Sequence, residues 1–199
     1  MVDATATLAS RLRASIEAKQ AFLADGKALA TFEAIARLVI AAYKSGGRLY
    51  VAGNGGSAAD AQHLAAEFVS KLARPRAPLP AEALTVDTSI LTAIGNDYGF
   101  ENVFSRQIEG KMTPRDVFLG ITTSGNSPNI LAALRTSRRM DIRTIVFSGQ
   151  NGGLAAKEAD YCLLAPSNVT STIQELHIVF SHALCECVEN AMFPLAAGE

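Results

Sequence analysis

The sequence has little that would place the protein in a membrane, on a nucleic acid or in an oxidising compartment. It contains only three cysteines, and its formal net charge is −1. An odd cysteine count with no paired spacing does not build a disulfide framework, so we expect a reducing, cytoplasmic location. The small net charge, with no basic block, argues against nucleic acid as a partner. No apolar run reaches membrane-spanning length and the N-terminus lacks a signal-peptide pattern, so no membrane contact is expected.

The 199 residues, of which 49% are hydrophobic, suffice for one α/β domain with a sizeable core. The apolar pattern predicts strands at 49–52, 83–86, 117–121, 144–147 and 161–164. It predicts helices between and after them at 57–72, 89–94, 103–109, 127–139, 154–157 and 172–192. This alternation predicts a mostly parallel sheet with helices on both faces. We expect a single domain, in which residues 1–46 form two helices and residues 47–193 form the α/β core. The two helices act either as a packing cover or as an oligomer interface.

A glycine-rich turn separates the first predicted strand from its helix. Gly53, Gly55 and Gly56 permit backbone angles closed to other residues, and Ser57 follows at the first helical turn. Backbone N–H groups and a hydroxyl at a helix start form an anion site. The turn is not a P-loop, because no Gly-Lys-Ser/Thr triplet follows the glycines. It is not a dinucleotide-binding fingerprint either, because the three glycines do not have the Gly-x-Gly-x-x-Gly spacing. It therefore predicts a cradle for the phosphate of a small molecule.

A second hydroxyl-rich loop follows the third predicted strand, with the sequence Thr122-Thr123-Ser124-Gly125-Asn126-Ser127. Alone it is also ordinary helix-capping chemistry. Ligands of parallel sheets bind at the carboxyl ends of the strands, so two such loops at adjacent strand ends are better support for a phosphate site.

His63 and Glu67 are four residues apart and share one face of the helix that follows the first cradle. A lone histidine or glutamate on a helix is commonly a surface residue. The pair near a phosphate cradle instead indicates a divalent metal site or acid–base chemistry. Asn96 and Asp97 are expected in a helix-breaking turn, where they either stabilise the turn or contact sugar hydroxyls.

Polar residues also enter the last helix. Gln174 and His182 would project roughly 80° apart and lie about 12 Å apart along one helix axis. One metal could be bound by both only if Gln174 preceded the regular helix or if one ligand came from another subunit. The second alternative predicts an oligomer with shared sites. His177 lies about 140° from His182, so the two do not easily face one small site.

Taken together, these motifs resemble the phosphoheptose isomerases of the sugar-isomerase (SIS) domain superfamily. The resemblance rests on Gly53-Asn54-Gly55-Gly56-Ser57 with Asp60, His63 and Glu67, on residues 94–99 and 122–127, and on Ile173-Gln174-Glu175 with His177 and His182. It implies a five-stranded parallel sheet flanked by helices and a homotetramer with active sites shared between subunits. It also implies one Zn²⁺ per subunit, held by His63, Glu67, Gln174 and His182.

The resemblance further implies which residues contact the substrate, sedoheptulose 7-phosphate. They are Asn54, Gly55, Gly56, Asn96, Asp97, Thr122, Thr123, Ser124, Ser127 and Gln174; Ser57 is added from the chemistry of the cradle. The implied reaction is an aldose–ketose isomerisation that yields D-glycero-D-manno-heptose 7-phosphate for nucleotide-activated heptose synthesis. The chain departs from the family in having Thr122 where serine is frequent. It also lacks the acidic residue that some relatives carry just before Ile173.

The hypothesis for catalysis assigns Glu67 as the base and His182 as its acid–base partner in an enediol mechanism. The alternatives are a non-catalytic SIS protein that binds the bacterial replication initiator and a domain that senses a sugar phosphate. A protein that binds the replication initiator would not need His182. A regulatory sugar-phosphate sensor is disfavoured because the sequence shows no DNA-binding segment.

Overall fold

The computed structural model describes residues 2–149 and 151–194. Within them the helices are α1 Ala4–Ala24, α2 Gly26–Lys44, α3 Gly56–Val69, α4 Thr88–Tyr98, α5 Ser105–Lys111, α6 Pro128–Arg139, α7 Ala155–Glu158 and α8 Thr170–Met192, with a 3₁₀ turn at Phe100–Asn102. The strands are β1 Leu49–Gly53, β2 Ala81–Ala83, β3 Val117–Thr122, β4 Arg143–Ser148 and β5 Tyr161–Leu164.

The described strands form one parallel sheet in the order β2-β1-β3-β4-β5. β1 and β3 are buried along their whole length, as strands covered on both faces must be. Their pairing sets Leu49 beside Val117 and Gly53 beside Ile121. The two strands therefore end together, and the loops that follow them meet at one edge of the sheet. The predicted α/β fold with a five-stranded parallel sheet is confirmed.

Alternate residues of the strands face two separate cores, because side chains of a strand point to opposite faces in turn. Leu49 and Val51 face a core that includes α1, α2, α3 and α8. Tyr50 and Ala52 face a core that includes α5, α6 and α7. The helices α3 and α8 lie on the same face of the sheet, and this places their polar residues within reach of one another.

The position of the second strand differs from the prediction. The pattern predicts a strand at 83–86, whereas β2 covers Ala81–Ala83 and shares only Ala83 with it. β2 is an edge strand that pairs with β1 alone, from Leu49 with Ala81 to Val51 with Ala83. Val86 is 55% exposed. The register of the neighbouring strand decides where this strand lies, so its own apolar pattern is a poor guide.

The two N-terminal helices are separated at Asp25. The Asp25 carboxylate accepts hydrogen bonds from the N–H groups of Lys27 and Ala28 and so begins α2. α1 packs on α8 through Phe22, whose ring lies 4.7 Å from that of Phe180. The two helices are thus part of the packing. In the described residues, no helix combines the length and the apolar character needed to cross a membrane.

Candidate active site

The first cradle, residues 53–57, lies between β1 and α3. Gly55 has φ +55°, a conformation that favours glycine, and it turns the chain from the strand into the helix. At Gly53 a Cβ atom would lie 2.4 Å from the carbonyl oxygen of Ser57, so no larger residue fits there. α3 begins at Gly56, and Ser57 is buried beside it. The strand–turn–helix arrangement predicted from the glycines is confirmed.

Gln174 of α8 lies against the first cradle. A Cβ atom added to Gly56 would lie 2.5 Å from Nε2 of Gln174, so the glycine leaves the space that this amide occupies. Gln174 belongs to the regular part of α8, which begins at Thr170. The alternative in which Gln174 precedes the regular helix is therefore wrong. Within one chain the Gln174 amide reaches the cradle.

The second cradle, residues 122–127, follows β3. The hydroxyls of Thr122 and Ser127 are hydrogen bonded at 3.0 Å. Gly125 has φ +67°, and a Cβ atom there would meet the carbonyl oxygen of Gly152 at 2.0 Å. A cavity of about 320 Å³ opens beside the loop, and its lining consists of Thr123, Ser124, Asn151, Ser167, Asn168, Thr170 and Ile173. Hydroxyls, amides and the start of α8 thus face one space, which suits a phosphate group.

An asparagine pair joins the two cradles. Asn54 Nδ2 donates to Asn129 Oδ1 at 2.9 Å, and Asn129 Nδ2 donates to Asn54 Oδ1 at 2.8 Å. Asn129 is 2% exposed, and its Oδ1 also accepts from the N–H of Ile130. The sequence prediction missed Asn129. Its place two residues after the hydroxyl loop, beside Pro128 at the start of α6, is the signal that could have found it.

Two histidines and a carboxylate meet between α3 and α8. His63 Nε2 lies 2.9 Å from His182 Nε2, although the residues are 119 positions apart. Glu67 Oε1 lies 3.3 Å from His63 Nε2. The three groups each offer a ligand atom, and these atoms all lie within 4.8 Å of one another. Half of the His63 side chain is exposed and the Glu67 side chain is 22% exposed, so the cluster is open to a ligand. We call these residues the triad.

Asp60 lies one turn before His63 on α3. Its Oδ2 is buried without a hydrogen-bond partner among the described residues. Burial raises the pKa of this carboxyl, and the nearby His63 lowers it less strongly. A carboxyl of this kind retains its proton more readily than an exposed one.

His177 is separate from the triad, as its angular position on the helix predicts. It is fully buried, and its Nε2 lies 3.2 Å from the carbonyl oxygen of Ser148, to which it can donate. Burial lowers the pKa of His177 to about 4, so the ring is neutral at physiological pH. His177 therefore anchors α8 to the end of β4 and is not a ligand of the site.

Asn96 and Asp97 do not lie in a turn, and that prediction is wrong. Both are in the last turn of α4, which ends at Tyr98, and the chain breaks at Gly99 with φ +87°. Leu91 and Ile94 of this helix are only partly buried against the core, and the helix continues past them through the polar pair. Asn96 Nδ2 donates to Asp97 Oδ1 at 2.7 Å. Asp97 lines a different cavity from the one beside the second cradle.

Comparison with known proteins gives a consistent result. The model of the SIS domain family matches residues 13–149. The phosphoheptose isomerase of Aneurinibacillus thermoaerophilus is 50% identical over 184 residues, which cover 92% of this chain and 93% of that relative.

Solved structures agree over nearly the whole length. The structure of phosphoheptose isomerase GmhA from Neisseria gonorrhoeae matches with a TM-score of 0.87 and 40% identity, over 94% of this chain and 98% of that one. The structure of a phosphoheptose isomerase from Francisella tularensis matches with a TM-score of 0.88 and 33% identity, over 95% and 100% of the two chains.

Proposed function

Since this chain belongs to the phosphoheptose isomerases of the SIS domain family, we propose that it converts sedoheptulose 7-phosphate to D-glycero-D-manno-heptose 7-phosphate through an enediol. This reaction is an aldose–ketose isomerisation and supplies nucleotide-activated heptose synthesis. The observation that carries the proposal is that His182 meets His63 and Glu67, which lie on the helix that begins at the first cradle. A cytoplasmic location is part of the same proposal.

The cradles are proposed to bind the phosphate and the adjoining hydroxyls of the sugar. Seven-residue spacing along α3 puts Gly56 and His63 about 10 Å apart, so a bound sugar phosphate extends from the cradle toward the triad. The proposed contacts are Asn54, Gly55, Gly56, Ser57, Thr122, Thr123, Ser124, Ser127 and Gln174, with Asn96 and Asp97. The geometry that supports this set is the cavity beside Thr123 and Ser124 and the Gln174 amide against Gly56.

Isomerisation moves a proton between C1 and C2 of the sugar while a second proton moves between their oxygens. We assign Glu67 as the base that removes the proton from C1 and returns it to C2. His182 donates to and accepts from the two oxygens. Glu67 and His182 both lie within reach of His63, which holds them at one end of the site.

The triad also fits a zinc ion, because two imidazoles and a carboxylate are a donor set that zinc prefers and their ligand atoms are already close together. We propose that His63, Glu67 and His182 hold one Zn²⁺ per subunit. Gln174, the further ligand expected from the resemblance, would then come from a neighbouring subunit, because Gln174 of the same chain lies against Gly56. When bound, the ion supplies a Lewis acid that polarises the sugar carbonyl. A carboxylate that binds metal is a weaker base, so the two roles of Glu67 compete.

The test is turnover of sedoheptulose 7-phosphate by the purified protein, followed by separation of the two heptose phosphates. Formation of the aldose is expected, and treatment with a chelator should lower the rate, which added zinc should restore. Binding of the ketose without any product would indicate a sugar-phosphate sensor instead. Absence of both binding and product would contradict the proposed function.

We propose further that the protein is a homotetramer with shared sites. None of the residues of α4, all of which the structure describes, is buried in the single chain. α1 leaves Leu8, Leu12 and Ile16 more than half exposed. An amphipathic helix with an uncovered apolar face is typical of a subunit interface. Because Asp97 is away from the cradle of its own chain, α4 is proposed to carry it to the site of a neighbouring subunit.

Mixed assemblies test the shared site. His182→Ala and Asp97→Ala are each expected to abolish turnover as pure proteins. If the two residues act from different subunits, refolding the variants together restores some sites that contain both native side chains, and activity returns in part. No recovery in assemblies that sedimentation shows to be mixed tetramers would contradict sharing of the site.

A further inference from the structure

A buried ion pair connects the two helices that carry the triad. Arg76 Nε lies 3.0 Å from Glu189 Oε2, and both side chains are only 2% exposed. Arg76 belongs to the loop between α3 and β2, and Glu189 to the last turns of α8. The other carboxylate oxygen, Oε1, accepts from the N–H of Arg74 at 3.3 Å and lies 3.7 Å from Arg74 Nε. Both oxygens of Glu189 therefore have cationic or N–H partners.

Arg76 also binds the end of α3. Its Nη2 donates to the carbonyl oxygen of Glu67 at 2.7 Å, and its Nη1 donates to that of Phe68 at 2.6 Å. The last carbonyls of a helix have no partner within it, so the bond to Glu67 satisfies an oxygen that lies at the helix end. The Phe68 carbonyl oxygen also accepts from the N–H of Leu79 at 3.0 Å. The residue whose carbonyl oxygen Arg76 holds is Glu67 itself, a member of the triad.

The partner on α8 has a fixed relation to the triad as well. Glu189 follows His182 by seven residues, so the two lie on the same side of α8 about 10 Å apart along its axis. One guanidinium thus fixes the end of the helix that bears Glu67 relative to the helix that bears His182. Phe68 and Val188, which neighbour Glu67 and Glu189 in the chain, belong to one core, so the two helices meet there.

We propose that Arg76 and Glu189 are positioning residues of the active site, which set the separation of His63 and Glu67 on α3 from His182 on α8. This inference rests on the proposed function of the triad. A buried ion pair with every partner satisfied contributes little net stability compared with apolar residues, but it accepts only one geometry. Without either partner, the separation of α3 and α8 is no longer fixed, and an unpaired charge remains in the core.

The test compares Arg76→Lys, Glu189→Ala and Glu189→Gln with the native protein. A lysine keeps the charge but cannot serve Glu189 and two carbonyl oxygens with one fork of donors. A glutamine keeps the size of Glu189 and still accepts a hydrogen bond from Arg76. Leu134→Ala is the control. Leu134 is fully buried in the core on the opposite face of the sheet from α3 and α8, so its truncation should lower the stability of the fold without altering those helices.

For each folded variant we would measure kcat, KM, the melting temperature and the dissociation constant for zinc by competition with a chelating dye. We expect Arg76→Lys and Glu189→Ala to lower kcat at least tenfold, with KM changed less than threefold and zinc bound at least tenfold more weakly. Glu189→Gln should recover part of both losses. Leu134→Ala should lower the melting temperature and leave kcat and zinc affinity within twofold.

The inference is overturned if folded Arg76→Lys has native kcat and zinc affinity, or if Leu134→Ala shows the same losses. If Glu189→Ala fails to fold, Arg76→Lys and Glu189→Gln decide. A native protein that binds zinc but does not turn over the sugar phosphate would refute the proposed function alone. The zinc affinities of the variants would then still test the positioning role.

Discussion

Replacement of Gly56 by alanine tests the position of Gln174 without disturbing the fold. The added Cβ would lie 2.5 Å from Gln174 Nε2 and 3.3 Å from its Cδ. An ordinary separation is about 3.5 Å, so the amide must retreat by roughly 1 Å. The group that yields is the far end of a flexible side chain. Gly56 is the first residue of α3 and does not have a positive φ, so the backbone accepts alanine.

The expected effect on activity is large and the effect on stability is small. A misplacement of about 1 Å in a site costs on the order of 100-fold in rate. We therefore expect kcat/KM to fall about 100-fold, which corresponds to about 2.7 kcal/mol of transition-state stabilisation. The free energy of unfolding should change by less than about 1 kcal/mol, because alanine is favoured over glycine in a helix by about that amount.

Steady-state kinetics and urea unfolding measure the two quantities. The matched control is Gly26→Ala, because Gly26 is likewise the first residue of a helix, α2, and a Cβ there meets nothing within 4 Å. The control should keep native activity. If Gly56→Ala retains kcat/KM within threefold, Gln174 does not act from its place at the cradle. If Gly56→Ala unfolds at much lower urea concentration than the native protein, the Gln174 amide does not yield to the added Cβ.

Three further predictions concern the triad, the link between the cradles and the buried histidine. Glu67→Gln and His182→Asn should each lower kcat by about 10³-fold, because each removes an acid–base group. A titration should still detect ketose binding, because the phosphate cradles are unchanged. Asn129→Ala should lower the free energy of unfolding in urea by about 2 kcal/mol, since it leaves the amide of Asn54 without both of its hydrogen bonds. The lowered pKa of His177, about 4 against the ordinary 6.5, means that the unfolded chain binds a proton that the folded protein excludes. Stability should therefore be complete above pH 6.5 and fall by about 3 kcal/mol as the pH drops to 4. His177→Leu should remove that part of the fall.

Each of these has a contrary result. Near-native turnover in both triad variants would remove the acid–base assignment. An Asn129→Ala protein as stable as the native one would show that the asparagine pair does not hold the cradles together. An unchanged difference in stability between pH 6.5 and pH 4 in His177→Leu would assign the acid sensitivity to other groups.

Much of the fold follows from local pattern. The apolar runs at β1 and β3 are buried on both faces, and such runs are recognisable because every residue must be apolar. The glycines between β1 and α3 also identify the cradle, because the turn depends on backbone angles that glycine permits. The edge strand β2 begins two residues before the predicted strand. The polar pair Asn96 and Asp97 predicts a turn, but polar side chains alone do not end a helix, and α4 ends only at Gly99.

The sequence by itself determined the alternation of strands and helices, the two cradles and the pairing of His63 with Glu67, because each depends on residues near in the chain. The tertiary structure decided that His182 joins them from 119 positions away, that Asn54 meets Asn129, and that Gln174 reaches Gly56. These contacts depend on how α3, α6 and α8 pack around the sheet. That packing is set by side chains distributed over the whole chain, so no local spacing encodes it.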